Sequence, residues 1–291
     1  MVKSITSSLV CLLILLIQQA ASQNDWENIT LPGDLKSPIT CCKTSGNEIY
    51  IGTQGAGIYY LSSNGKIWTR FTDKSMDADS ISNIIARGDY IIASGEMRLY
   101  VSTDKGQSWS TDTYFQDKGE YIQCISISSK LELVLGTNYA IYYGGAIDLG
   151  IKWSSISDKL GNIYCLSIQY DYANNLFACG AIWKSTYSIY QYNYNTRVWE
   201  ERNGSLGYEP YVNQFIVGDN QGLYIRIFDR ILSYNYSKQI WDEVPSGKIY
   251  GLTDFVQYSN YLGVNNLTGF CIFNMNNSSW TPELPCLQVI I

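Results

Sequence analysis

Seven of the eight tryptophans stand on a ladder. Trp26, Trp68, Trp109, Trp153, Trp199, Trp241 and Trp280 are separated by 42, 41, 44, 46, 42 and 39 residues, and only Trp183 stands outside it. A large aromatic side chain returning at so regular an interval fills one packing position in successive copies of a single supersecondary unit. That excludes most folds built around one nonrepeating core.

Each period holds four short strand patterns separated by turn residues. In the first, ITCCKTS, EIYIGT, GIYYLSS and KIWTRF are divided by SGN, QGA and NG; the third offers IQCISIS, LELVLGT, AIYYGG and IKWSSI. Alternating apolar and β-branched runs of this length are strands, and Gly- and Asn-containing links between them are tight turns. Four strands, here A to D, repeated every forty-odd residues predict an all-β chain, a β-propeller of four-stranded antiparallel blades. The units are expected over residues 31–71, 72–113, 114–156, 157–203, 204–245 and 246–282, making six blades within one domain over 23–291. A seventh blade, the alternative, would need about three further strands from the roughly ten residues after Pro282.

Composition agrees with sheet. The 291 residues include 25 Tyr, a residue that fits a pleated, half-buried surface. There is no histidine, which excludes Ser-His-Asp and Cys-His nucleophilic pairs and every His-ligated metal site. The formal charge of −6, without blocks of Lys or Arg, disfavours nucleic acid as a partner. No spacing of loop carboxylates resembles a calcium loop, and no metal or cofactor is expected.

Residues 1–22 combine Lys3, an apolar run from Leu9 to Ile17 and the small residues Ala20, Ala21 and Ser22. This is the pattern of a secretory leader, with too short an apolar core to span a bilayer, so a secreted, extracellular or secretory-lumen protein without a membrane span is expected. Export gives meaning to the N-x-S/T triplets at Asn28, Asn203, Asn235, Asn266, Asn276 and Asn277, which become candidate glycan acceptors. Cys11 leaves with the leader, and the seven remaining cysteines leave at least one without an intramolecular partner. Cys165 and Cys179 lie symmetrically about the DYANN turn and are expected to face each other across a hairpin. Cys286, in the tail, is a candidate staple to Cys41 or Cys42, with Cys271 as the alternative. Cys41, Cys124 and Cys165 share one repeat position in three units, which predicts small buried packing residues too far apart to bridge.

At residues 102–109 the chain reads STDKGQSW, which resembles the Asp-box, S-x-D-x-G-x-[ST]-W, of sialidase-type, sortilin-type and photosystem-assembly-factor-type propellers. IDLGIKW keeps its spacing with Asp148, Gly150 and Trp153, and SSNGKIW keeps Asn64, Gly65 and Trp68 with one residue fewer. Later units, such as YQYNYNTRVW and LSYNYSKQIW, resemble the Tyr-Asn...Trp half of a kelch repeat, although the kelch double glycine is absent. The resemblance implies a structural turn between strands C and D. Asp104 would accept backbone hydrogen bonds, Gly106 would take a positive φ and Trp109 would plug the space between sheets. It also implies that the box lies away from the ligand face and says little about activity.

On a propeller the B-to-C and D-to-A connections share one face, the usual binding face. Trp183, which breaks the ladder, falls in a B-to-C connection near Tyr187, where the two are candidates for an aromatic platform. Glu96, Arg98, Asp229 and Arg230 are expected on the same face. The competing reading of each is a solvated loop charge or an aromatic covering a blade edge. No catalytic residue is assigned. The sialidase-like resemblance would imply an Arg-Ile-Pro near the start and an arginine triad, yet the first arginine after the leader is Arg70 and the later arginines recur in no matching pattern. A noncatalytic recognition module for a glycan or an extracellular protein is therefore expected, with a sialidase-like or other glycoside hydrolase as the alternative.

Overall fold

The computed structural model describes residues 31–285 apart from 34, 63–66, 78, 183–185, 205, 207–209, 213, 219–220, 247–248, 250–251, 253, 259–260, 266–268 and 281–283. The leader and Trp26 lie outside the described residues. The chain divides into two compact units, Met1–Ile122 and Gln123–Ile291.

The first unit contains two sheets. One is β1 (Ile39–Ser45), β2 (Glu48–Thr53), β3 (Ile58–Leu61) and β4 (Trp68–Arg70); the other is β5 (Asn83–Arg87), β6 (Tyr90–Ser94), β7 (Leu99–Ser102) and β8 (Ser110–Asp112). One turn of helix, α1 (Tyr114–Lys118), follows β8 and is closed by Gly119 in the left-handed conformation, φ 69°. The core lies between the two sheets. Tyr50 and Ile58 of the first blade meet Ile84, Ile91 and Tyr100 of the second, all buried.

The second unit contains β9 (Ile122–Ile127) to β12 (Ser154–Ser155), with β10 (Glu132–Thr137) and β11 (Ile141–Ala146) between them. Next come β13 (Ile163–Tyr170), β14 (Leu176–Ile182), β15 (Tyr187–Asn193) and β16 (Val198–Glu201), then β17 (Phe215–Val217), β18 (Leu223–Ile227), β19 (Arg230–Asn235) and β20 (Ile240–Glu243). The last sheet is β21 (Asp254–Tyr258), β22 (Tyr261–Asn265), β23 (Gly269–Asn274), β24 (Ser279–Trp280) and β25 (Leu284–Pro285). Strands within each sheet follow chain order and pair antiparallel through their hairpins. The fold is all-β, a propeller of four-stranded antiparallel blades.

The expected blade count is corrected. Five sheets are regular four-stranded blades, two in the first unit and three in the second, where six were expected and seven considered. The last sheet breaks the rule. β24 pairs only with Phe273 and Asn274, so the first part of β23 would be an open edge, and β25 fills it by pairing with Gly269 and Phe270. A tail that covers an exposed strand edge removes a site for unwanted pairing.

Within the second unit consecutive blades are joined by recurring devices, each explaining a feature of the sequence. Phe177 and Ile189 pack on Phe215, Ile225 and Trp241 of the following blade. The Trp199 indole N–H donates to the Ile156 carbonyl at 2.9 Å, and Trp241 repeats the bond to Arg202 at 2.8 Å. On the innermost strands Ser126 accepts from the Tyr170 N–H at 3.0 Å, and Ser167 accepts from the Phe215 N–H at 3.1 Å. Both serines are buried, so these bonds satisfy polar atoms that no sheet ladder reaches.

Candidate functional site

The turn at residues 102–109 is held by its own side chains. Asp104 accepts from the Ser108 N–H at 2.9 Å and from the Ser108 hydroxyl at 2.5 Å, while Ser102 accepts from the Gly106 N–H at 2.7 Å. These bonds, led by the Ser108 hydroxyl, pull the Asp104 carboxyl down to about 2. Gly106 has φ +83° and lies against Phe71, where a Cβ would come within 2.2 Å of the ring. The Trp109 indole donates back to the Gly106 carbonyl at 3.1 Å and meets Phe71 edge-on at 5.4 Å. Asp148 lies in a 3-10 turn capped by Gly150, φ +82°, and Trp153 reaches toward Gly144. Asp104, Gly106 and Trp109 are thus committed to their turn.

On the B-to-C and D-to-A side the side chains of Arg98 and Arg230 are tied to neighbouring groups, and Glu96 and Asp229 are tied through their backbone carbonyls. The Glu96 carbonyl accepts from the Ile122 N–H at 2.8 Å. Arg98 pairs with Asp79 at 3.4 Å and donates to Gln116 at 2.7 Å. The Asp229 carbonyl accepts from the Ile249 N–H at 2.8 Å, and Arg230 pairs with Glu243 at 3.0 Å. Trp183 lies outside the described residues.

Tyr187 does find aromatic company. It opens β15, and its ring meets Tyr211, in the connection from β16 to β17, edge-on at 4.9 Å and 81°. Tyr164, the second residue of β13, lies close enough to Tyr187 to raise its hydroxyl pKa further, after burial, the main cause, and Tyr211. The Tyr164 hydroxyl is aimed by a hydrogen bond to Gln123 at 3.2 Å. Tyr211 and Tyr164 remain 48% and 41% exposed, so rings and hydroxyls together present an amphipathic surface to solvent.

Tyr164 and Tyr211 were not singled out in the sequence, although Tyr164 carried a signal. β13 runs Ile163 buried, Tyr164 exposed and Cys165 buried, an alternation that places the tyrosine opposite the core. Tyr211 has no such mark, because connection residues follow no period.

The opposite loop side is closed by internal bonds. The buried Asp171 carboxylate accepts from the Asn175 N–H at 2.7 Å, the Asn175 amide at 2.8 Å and the Tyr236 hydroxyl at 2.9 Å. Tyr236 thereby ties the fifth repeat to the fourth, and burial and Asp171, in that order, raise its hydroxyl pKa.

Among the described residues no disulfide is present. Cys165 and Cys179 do not face each other: a bulge at Leu166 sets Cys165 opposite Gly180 and Ser167 opposite Cys179. Cys179 donates instead to the Pro210 carbonyl at 3.3 Å, and Cys41 to the Ile81 carbonyl at 3.4 Å. The expectation that Cys124 and Cys165 are far apart is corrected, since their sulfurs lie 3.7 Å apart. Cys286, Asn28 and Asn266 lie outside the described residues. No group of three or more potential metal-ligating side chains occurs among the described residues, and none of their helices is long and apolar enough to cross a membrane.

No protein-family model and no curated protein matches the chain. Solved structures do. The extracellular domain of BT4673 from B. thetaiotaomicron superposes with a TM-score of 0.68 at 13% identity, covering 91% of this chain and 35% of that one. YCF48 bound to D1 peptide gives 0.63 at 14%, covering 90% and 87%. An ancestral GH74 enzyme gives 0.65 at 14%, covering 86% and 41%. At such identities the likeness shows the propeller fold alone, and the chain spans only about a third of the BT4673 structure's length.

Proposed function

We propose that this chain is a noncatalytic recognition module that holds a segment of a partner protein against Tyr164, Tyr187 and Tyr211. The observation that carries this reading is the edge-on Tyr187–Tyr211 pair at 4.9 Å with the exposed, hydroxyl-anchored Tyr164 beside it. Tyrosine rings supply large contact area at a low cost in side-chain freedom, and their hydroxyls can pair with a peptide backbone. The site is built from tyrosines and an amide, which suits an uncharged, extended segment. A propeller of similar fold in complex with a peptide supports the reading by analogy.

The reading includes one propeller domain over residues 23–291, exported by the leader at 1–22 into an extracellular or secretory space. It also keeps the Asp-box resemblance of residues 102–109 as a structural turn. In a recognition module the described carboxylates Asp79, Asp104 and Asp171 have structural duties, each already accepting side-chain hydrogen bonds.

The test is a peptide display selection and a glycan array run in parallel on the purified protein. Selected peptides should lose at least tenfold in affinity when Tyr211→Ala or Tyr187→Ala is introduced, with circular dichroism unchanged. Hits confined to the glycan array would transfer the site to sugars. Turnover of a glycoside panel that one carboxylate substitution abolishes would replace the reading with a hydrolase.

A further inference from the structure

The innermost strands β9 and β13 belong to different sheets, yet they bring two thiols into contact. The sulfur of Cys124 lies 3.7 Å from that of Cys165 and donates to the Cys165 carbonyl at 3.8 Å. Both residues are buried. Room for the pair comes from Gly136 on β10: a Cβ there would stand 2.4 Å from the Cys165 sulfur and 2.9 Å from that of Cys124. A glycine at this position lets two sulfurs share a space that any other residue would fill.

We infer that Cys124 and Cys165 form a redox modification site that closes to an inter-blade disulfide. The sulfurs must approach by about 1.7 Å to reach bonding distance. The oxidant is a disulfide of the glutathione class. The Cys124 thiolate, on the more exposed residue of the two at 8% against 0%, attacks one sulfur of that disulfide and expels one thiolate, leaving a mixed disulfide. The Cys165 thiolate then attacks the Cys124 sulfur, forms the Cys124–Cys165 bond and expels the second thiolate. The two protein thiols lose two electrons and two protons, and the oxidant leaves as two thiols.

The hydrogen bond with the Cys124 thiol and then burial hold the Cys165 thiol well above the usual range, so exchange in the closed interface is slow. It proceeds when the third and fourth blades part transiently, as during folding. Cys179 does not compete in the folded interface, because its thiol is directed at the Pro210 carbonyl. The bond would close a loop between positions 124 and 165 and add a covalent tie to two sheets already joined by packing and by the Ser126–Tyr170, Tyr164–Gln123 and Trp199–Ile156 hydrogen bonds.

The experiment uses the full chain, folded and reduced, exposed to oxidised glutathione in two arms, with and without a brief pulse of urea. Samples are quenched with N-ethylmaleimide and digested without reduction for mass spectrometry. The expected product in the pulsed arm is a cross-linked pair of peptides carrying Cys124 and Cys165, lost in Cys124→Ser. The oxidised protein should melt about 5–10 °C higher than the reduced one. N-ethylmaleimide on both cysteines in both arms, or Cys165 joined to another cysteine, overturns the inference. The oxidant is supplied in the tube, so neither result depends on the partner site or on export.

Discussion

The indole N–H of Trp241 donates to the carbonyl of Arg202 at 2.8 Å, joining β20 to the end of the preceding blade. Trp199 makes the same bond to Ile156 one repeat earlier. At Trp199 and Trp241 the ladder residue thus has two duties: its ring packs in the apolar core, Trp241 against Tyr234 of the neighbouring strand at 4.9 Å and in one cluster with Phe177 of the preceding blade, and its nitrogen donates to a carbonyl of the preceding repeat.

The two duties separate by substitution. Trp241→Phe keeps an aromatic ring and loses the bond, so it should cost about 1–2 kcal/mol in urea denaturation. Trp241→Ala loses both and should cost about 3–5 kcal/mol. Equal losses for the two variants would mean that the hydrogen bond contributes nothing.

Asp104 makes stability depend on acid. Its folded carboxyl is held down at about 2, below the ordinary aspartate range, because Ser108 and Ser102 donate to its charged form. A carboxyl depressed on folding stabilises the folded state above its unfolded pKa, and that stabilisation is lost as pH falls through the folded value. Melting temperature should therefore drop between about pH 4 and pH 2 more steeply in the wild type than in Asp104→Asn. Parallel profiles in scanning calorimetry would remove Asp104 from the acid response.

Much of this was legible in the chain because the repeat imposes one solution many times. ITCCKTS and EIYIGT are β1 and β2 to the residue, since alternation and Gly-containing turns act locally. What could not be read depends on departures from the repeat. The bulge at Leu166 shifts pairing by one residue and separates Cys165 from Cys179, and a bulge leaves no mark in apolar alternation. The blade count failed at the last sheet, where β25 adds a fifth strand by pairing with β23. The Cys124–Cys165 contact depends on how closely sheets approach, which strand periodicity does not encode. Tyr211 was missed because a connection is placed by the strands it joins rather than by its own pattern.

Two glycines distinguish backbone strain from crowding. Gly106 and Gly145 have φ of +83° and +78°, but a Cβ at Gly106 would strike Phe71 whereas at Gly145 nothing lies within 4 Å. Gly145→Ala should carry only the left-handed backbone penalty, about 1–2 kcal/mol. Gly106→Ala adds displacement of a ring packed on Trp109 and should cost about 1–3 kcal/mol more. Chemical denaturation of both variants measures the difference; equal costs would mean that Phe71 moves aside freely.

The described glycan acceptors are not equivalent. The Asn203 amide donates to Ser188 at 3.2 Å and to Glu201, while its oxygen accepts from the Ile189 N–H at 2.9 Å. The Asn235 amide donates to Asp242 at 2.7 Å, and its oxygen accepts from the Lys238 N–H at 3.2 Å. A sugar on either nitrogen removes a donor hydrogen and must displace a carboxylate partner, leaving polar groups unpaired. Asn276 and Asn277 stand exposed in the turn between β23 and β24, where a glycan projects into water. Expressed through a eukaryotic secretory pathway, the folded protein should carry a glycan at Asn276 or Asn277 and none at Asn203 or Asn235. Enzymatic glycan release in heavy-oxygen water, followed by peptide mass spectrometry, marks each occupied asparagine. A label at Asn203 in folded protein would show that its hydrogen-bond network yields to the sugar.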